Sequence, residues 1–571
     1  MDGLPAEDAS EGAVSAPQAP FAQELVTITK QEHIRLVWET QHYKSMHQRA
    51  MDRMERVEKE HREEVQALRE SAAAREHALQ EDLDKALGRV RDLEQRHFSK
   101  RSERATTIDK RYRRAKEQQR RKRGQQPDTK GHGRTTEEHL PLREEPPLEL
   151  ASPNCVVCGK PMEIFPGTDD CEIVEIEIKA HRRRIRRRRY RRICECEGPS
   201  RIVTAPPPAR LIPRGKWGIS VWLETLLGKF KYVRPSFREL AHLGDLGVNL
   251  SGGTLCGGFQ QLSPLFKPLY EACLPQLRND KLWNADETRW EVFVEREGKT
   301  GHRWYLWVFA SRTVVYYVLD PSRSAEVIEA VLGVVDSGVI ICDRYSAYKK
   351  FARLHPGIVL AFCWSHQRRD FLNLANSYPQ LESWALDWVD RIGELFRLYD
   401  LRCEATPASE KYLALQGQLR SGLRTMARVR QRELDDPQLA APARKVLESM
   451  RRHWKGLREF VRHANVPPDN NGGERPMRPP VIGRKNFYGS GSEWSGQLAA
   501  MMFTLMMTMQ LWGINARTWL ADYLYACAAA GNRVPADLKP FLPWSMDAER
   551  LARMRGLPCE NPQIPVTVDT S

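Results

Sequence analysis

The sequence predicts an α/β fold with a long helical arm in front of it, and three observations carry that expectation. Residues 282–319 break into three strand-like runs separated by turn residues. The run Gly338-Val339-Ile340-Ile341-Cys342-Asp343 is short, apolar and ends on a carboxylate, as a buried strand should. From Glu24 to His97 there is no proline and a single glycine, Gly88, with apolar residues at three- and four-residue spacing. At 571 residues the chain exceeds what one core holds, roughly 250–300 residues, so several domains are expected.

In chain order, residues 1–23 are rich in Ala, Pro, Gly and acid, a composition expected to be disordered. In 24–98 the residues Met54, Val57, Val65, Leu68, Ala72, Leu79, Leu83, Ala86, Val90 and Leu93 form a narrow stripe among charged neighbours. This is a coiled-coil pattern, and its seam also takes His61 and Arg75. Homo-oligomerisation is its expected use, with a solvated single helix or an intramolecular hairpin as the alternatives. Residues 99–150 read as a basic linker: Lys100 to Arg134 holds 14 Lys/Arg against 4 Asp/Glu.

Residues 151–200 read as a zinc-finger-like basic module. Cys155 and Cys158 have zinc-knuckle spacing, Cys194 and Cys196 close the segment, and four thiolates would hold Zn²⁺, with Cys171 as a substitute ligand. Val174 to Ile178 alternates like a strand. Arg182, Arg183, Arg184, Arg186, Arg187, Arg188 and Arg189 follow, interleaved with Ile185 and Tyr190, and suit DNA phosphates. Unmetallated thiols beside a solvated basic run are the alternative. The net charge is +15, yet the two basic runs exceed it, so the rest of the chain is net acidic. A polyanion is the expected partner of the N-terminal third. The twelve cysteines, with no basic and apolar leader at Met1, point to a reducing, cytoplasmic setting.

A proline-rich linker, Ala205 to Arg214, leads to a helical region at 214–279. There Phe237 to Leu243, Gly247 and a Ser251-capped helix suggest a helix-turn-helix-like unit for DNA. Strands are expected at Leu282 to Glu295, with Asp286 on or beside the first, then at Trp304 to Ala310, Val314 to Leu319, Gly338 to Asp343 and Ile358 to Cys363. Helices are expected at Ser324 to Val334 and Tyr345 to Leu354, and His366 begins a long one. An apolar strand ending in Asp343 at a sheet rim is a standard place for a metal ligand; a plain helix cap is the alternative. In Asp469-Asn470-Asn471-Gly472-Gly473-Glu474, the Asn-Asn-Gly-Gly run supplies a turn and an N-cap, and Glu474 falls near the first helical turn among Arg475, Arg478, Arg484 and Lys485. A carboxylate that holds a metal beside cations that hold phosphates would look like this; so would a capped helix with surface ion pairs. Ala499 to Trp512 is apolar but short and carries Thr504 and Thr508, which fits a buried helix and no membrane partner.

Several of these motifs together resemble the insertion-sequence sixty-six (TnpC) family of DDE transposases. They are Asn284-Ala285-Asp286-Glu287-Thr288, Cys342-Asp343-Arg344-Tyr345-Ser346-Ala347-Tyr348, Cys363-Trp364-Ser365-His366-Gln367-Arg368-Arg369-Asp370-Phe371, Asn470 to Arg478 and Gly483-Arg484-Lys485-Asn486. The resemblance runs from about Phe98 to Trp544. It implies a ribonuclease-H-like core at 280–378 and 464–530, a helical insertion at 379–463, a tail at 531–571, and Asp286, Asp343 and Glu474 as a metal-binding triad. It further implies a nucleoid-associated transposase acting on element ends and target DNA, with accessory proteins of the same element. Two ions of Mg²⁺ or Mn²⁺ would suit these ligands. His366 and Arg369 would support the site, and Glu287, facing the opposite way on its strand, is not counted as a ligand. The Cys194–Cys196 pair departs from the family's wider spacing, and Gly473 stands where a larger residue is common. A retired zinc-dependent DNA-binding protein, or a nuclease without strand transfer, are the alternative functions.

Overall fold

A computed structural model of the chain describes residues 27–97, separate stretches between 140 and 193, 202–295 and 301–556. It divides into two compact units, Met1–Lys100 and Arg101–Ser571. The first is one continuous helix, Lys30–His97. A reciprocal cap starts it: the Thr29 backbone N–H donates to Glu32, and the Glu32 N–H donates to the Thr29 hydroxyl. Ion pairs Arg35–Glu39 and Lys59–Glu63 brace its surface. Met54, Val57, Leu68, Leu79, Leu83, Val90 and Leu93 all stand exposed among the described residues.

Three of the four expected zinc thiols, Cys155, Cys194 and Cys196, lie outside the described residues, as does Cys171; Cys158 is an exposed free thiol. The expected strand at Val174 to Ile178 is not formed among its described residues. Val174, Ile176 and Ile178 are all exposed: alternation makes a strand only where one face has a core to cover, and this segment has none. The strands here are β1 (Arg189–Arg191), inside the arginine run, and β2 (Ile202–Thr204), paired antiparallel.

The rest of the second unit is built on one mixed sheet. β3 (Leu282–Val292), β4 (Arg303–Ala310) and β5 (Val315–Asp320) form an antiparallel meander. β6 (Gly338–Cys342) and β7 (Ile358–Phe362) run parallel on the other side of β3, giving the order β5-β4-β3-β6-β7. β8 (Gly489–Ser490) pairs with the far end of β3. Helices Ala325–Leu332 and Ser346–Leu354 make the crossovers between the later strands. A mixed α/β sheet of this order and polarity is compatible with a ribonuclease-H-like core.

Edge strand β5 would expose its outward N–H groups, a pairing hazard. The apolar helix Glu493–Leu511 lies along it instead, and the Thr504 and Thr508 hydroxyls accept from the N–H groups of Tyr317 (2.9 Å) and Val315 (3.1 Å). Among the described residues no helix is long and apolar enough to cross a membrane. Helix Gly252–Asn279, the second of the expected helix-turn-helix pair, is capped by Ser251 and buries Leu262, Phe266, Leu269 and Leu277 in the main core. Residues 382–462 form helices around a second core of Phe371, Trp388, Ile392, Leu419 and Leu447. The segment after residue 530 packs back through Phe541, Leu542 and Met554.

Candidate active site

Parallel pairing of β3 with β6 sets Asn284 beside Ile341. Asp286 and Asp343 each lie two residues further along, so both carboxylates leave the same face of the sheet. Asp343 is the first residue past β6, and its Oδ1 accepts from the Tyr345 N–H at 2.8 Å. Glu474 enters on that face from the first turn of helix Asn471–Phe487 and is buried. Burial holds the Asp286 carboxyl well above the usual carboxylate range. The charges of Glu287, Asp343 and Glu474 push it the same way, against one hydrogen bond from the Glu287 N–H. The fold thus brings Asp343 and Glu474 into electrostatic range of Asp286.

Asn470 occupies the N-cap position of the Glu474 helix, but its side chain makes no cap bond there. Its amide is taken by the sheet: Nδ2 donates to the Ala285 carbonyl (2.9 Å), and Oδ1 accepts from Asn284 Nδ2 (3.0 Å). Its backbone N–H donates to the Cys363 thiol sulfur at 3.3 Å. Asp469 supplies the turn instead, accepting from the Asn471 N–H at 3.1 Å. Gly472 permits this close seat, because a Cβ there would meet Asn284 Oδ1 at 2.5 Å. A Cβ on Gly473 would meet the Asn470 amide at 3.1 Å, a tighter fit than easy tolerance allows.

His366 sits on helix Trp364–Ser377 with Nδ1 4.0 Å from Glu474 Oε1. Burial, then the charges of Arg369 and Arg344, push its pKa down to about 4, so the ring is neutral at pH 7. Cys363, His366 and Glu474 each place a ligand-type atom within 4.8 Å of the others. Burial pushes the Cys363 thiol up to about 11, so it serves the Asn470 N–H as a neutral acceptor. A hard divalent cation beside Asp286 would offset the repulsion that raises it.

Glu287 pairs with Trp307 in the register of β3 with β4. It is a buried anchor: Arg323 Nε donates to it at 3.0 Å and the Tyr348 hydroxyl at 2.7 Å. Arg344 ties two motifs together, donating to Asp370 (2.7 Å), Gln367 (2.9 Å) and Ser449 (3.2 Å). The sequence reading missed Asn284, Arg344, Asp370 and Tyr348 as supports; the i,i+2 spacing of Asn284 and Asp286 on one strand face was the available signal. Arg475, Arg478 and Lys485 are exposed, while Arg484 braces β3, donating to Thr288 (3.1 Å) and to the Arg289 carbonyl (2.7 Å). Arg182, Arg183, Arg184, Arg186, Arg187, Arg188 and Arg189 are exposed.

Residues 214–498 match the family model described as "Transposase IS66 family". The chain is also 28% identical to the uncharacterized protein y4jD of Sinorhizobium fredii over 434 residues, 73% of this chain and 82% of that one. It is 25% identical to the uncharacterized protein y4hP of the same organism, over 70% of this chain and 74% of that one.

Proposed function

The chain belongs to the IS66 family of transposases through residues 214–498, and from that premise we propose that it is a DNA transposase. It cleaves phosphodiester bonds at the ends of its element and transfers the 3′-hydroxyl ends to target DNA. The observation that supports this reading is Asp286 on β3, whose carboxyl is raised by burial and by the charges of Asp343 and Glu474; β3 pairs with the β6 strand that leads to Asp343.

Asp286, Asp343 and Glu474 would hold divalent cations, Mg²⁺ or Mn²⁺, which would supply Lewis-acid charge stabilisation for phosphodiester cleavage. Asn284 and Asn470 fix the Glu474 helix against β3, so the carboxylate cannot swing away. Neutral His366 walls off Glu474 without adding a competing cation. Arg475, Arg478 and Lys485, on the helix that carries Glu474, hold flanking phosphates. Arg182 to Arg189 give a sequence-independent grip on DNA, and Cys155, Cys158, Cys194 and Cys196 would hold a zinc ion that would supply a structural anchor for that module. The Lys30–His97 helix pairs with a second copy to bring two ends together.

The test incubates purified protein with DNA bearing the element's ends and a target plasmid. It is run with Mg²⁺, without metal, and with Glu474→Gln. Metal-dependent joined products, absent in the variant, support the reading. Cleaved but never joined ends would make the protein a nuclease. Binding with no cleavage, even with the element's other proteins added, would make it a retired DNA-binding protein.

A further inference from the structure

Buried arginines in the helical 382–462 region fall into two kinds. Arg402 is 1% exposed and fully engaged, donating to Gln416 Oε1 (2.6 Å) and the Phe460 carbonyl (3.3 Å) with its guanidinium over Tyr399. Arg430, on helix Glu410–Asp435, is 7% exposed and has no such partners. Its Nε and Nη1 are sealed from solvent with no hydrogen-bond acceptor among the described residues. Its contact is the Trp454 ring, 4.5 Å from the guanidinium carbon. A π face attracts a cation but accepts no conventional hydrogen bond, so the N–H fork stays unanswered.

The neighbours make this worse. Burial lowers the Arg430 pKa, and the charges of Arg451 and Arg458 lower it further, with no carboxylate opposing them. Arg458 also carries a buried, unanswered Nε. The charges of Arg451 and Arg458 therefore reach a buried guanidinium that no carboxylate among the described residues answers. Chains do not keep a buried cation uncompensated without a counter-charge from elsewhere. Arg451 is exposed and Arg458 half-buried, so the cluster has a solvent side.

We propose that Arg430, Arg451 and Arg458, backed by Trp454, form a phosphate-binding pocket: a backbone phosphate of the DNA substrate is met from solvent by Arg451 and Arg458, and its charge balances the sealed Arg430 behind them. A planar fork of N–H donors matches phosphate oxygens in charge and geometry. Packing links the pocket to the candidate active site: Trp454, under Arg430, packs edge-on against Trp364 at 5.9 Å, and Trp364 opens the helix that carries His366. A strand led to the carboxylates has a further phosphate to offer here. The DNA occupant rests on the transposase reading; the phosphate pocket does not.

The experiment has two arms, each on the full chain as wild type, Arg430→Met and Arg458→Gln. The first compares melting temperatures in inorganic phosphate and in chloride at equal ionic strength and pH. The second measures binding of a fluorescein-labelled DNA duplex across a salt series. The exposed arginine run is common to all three proteins, so only differences count. The expected result is a phosphate-specific rise in Tm that both variants lose, and a log–log salt slope that falls in magnitude by about 1 in Arg430→Met. Should Arg430→Met fail to fold, the milder Arg458→Gln carries both arms. An equal phosphate effect in all three proteins overturns the pocket. A lost phosphate effect with an unchanged salt slope overturns the DNA occupant and leaves a free small anion as the ligand. A wild type that binds no duplex overturns the transposase reading and the DNA occupant together, while the first arm still decides the pocket.

Discussion

Gly472→Ala sets two opposed effects against each other at one atom. Gly472 lies in the first turn of helix Asn471–Phe487, and its φ is not positive, so alanine suits the backbone there. In an open helix that exchange stabilises by about 0.5–1 kcal/mol. The new Cβ, however, would lie 2.5 Å from Asn284 Oδ1 and 2.7 Å from its Cγ. Asn284 must turn aside, breaking its bond to Asn470, which loses about 1 kcal/mol. Asn470 is 1% exposed, so its abandoned oxygen costs about 1–3 kcal/mol more. The clash wins by about 1–3 kcal/mol. Function should suffer more than stability, because the same bond seats the Glu474 helix, and a displacement of about 1 Å at a reacting centre costs on the order of 100-fold. The assay pairs a thermal melt with metal-dependent end cleavage, and Gly417→Ala is the control. Gly417 is mid-helix with nothing within 4 Å of its Cβ position, so its Tm should rise. A Gly472→Ala protein that melts and cleaves like wild type would refute the reasoning.

Three further outcomes follow from other parts of the fold. Glu287→Gln should lower stability by about 1–3 kcal/mol, discounted because Arg323 is 40% exposed; an unchanged melt would mean the pair is idle. Thr504→Val removes the acceptor for the Tyr317 N–H, so stability should fall by about 1–3 kcal/mol and β5 amides should exchange faster with deuterium. His453 adds an acid-sensitive contribution. Its pKa is pushed from 6.5 down to about 4, chiefly by burial, and Nε2 accepts from Lys349 at 2.8 Å. The unfolded chain then binds the proton first as pH falls, so this stability is whole above 6.5 and drains toward 4. In His453→Gln the fall in Tm across that window should be shallower.

Much of the sheet was legible because period-2 runs and a short apolar strand are local signals. β4 begins one residue before its expected start and ends where expected, and Asp343 falls just past β6. Asp286 and Asp343 were reachable that way, since a strand end and its parity fix a face. What was hidden depends on partners far away in the chain. Asn470 reads as a helix cap, yet Asn284, 186 positions earlier, wins its side chain. Nothing local in the sequence signals that Arg323 and Tyr348 hold Glu287. Val174 to Ile178 alternates convincingly and forms no strand among its described residues, because periodicity reports a preference and not the presence of a core. Arg430 sits among Arg428 and Arg432 in sequence, and only packing separates the buried guanidinium from the exposed ones.

The most direct measurement is calorimetric titration of Mn²⁺ into the wild-type protein and into Asp286→Asn, Asp343→Asn and Glu474→Gln. If the three carboxylates form one metal site, each single variant should lose a binding event or weaken binding at least tenfold, about 1.4 kcal/mol. Three variants that bind Mn²⁺ as the wild type does would contradict a shared site and, with it, the metal-dependent chemistry proposed for this fold.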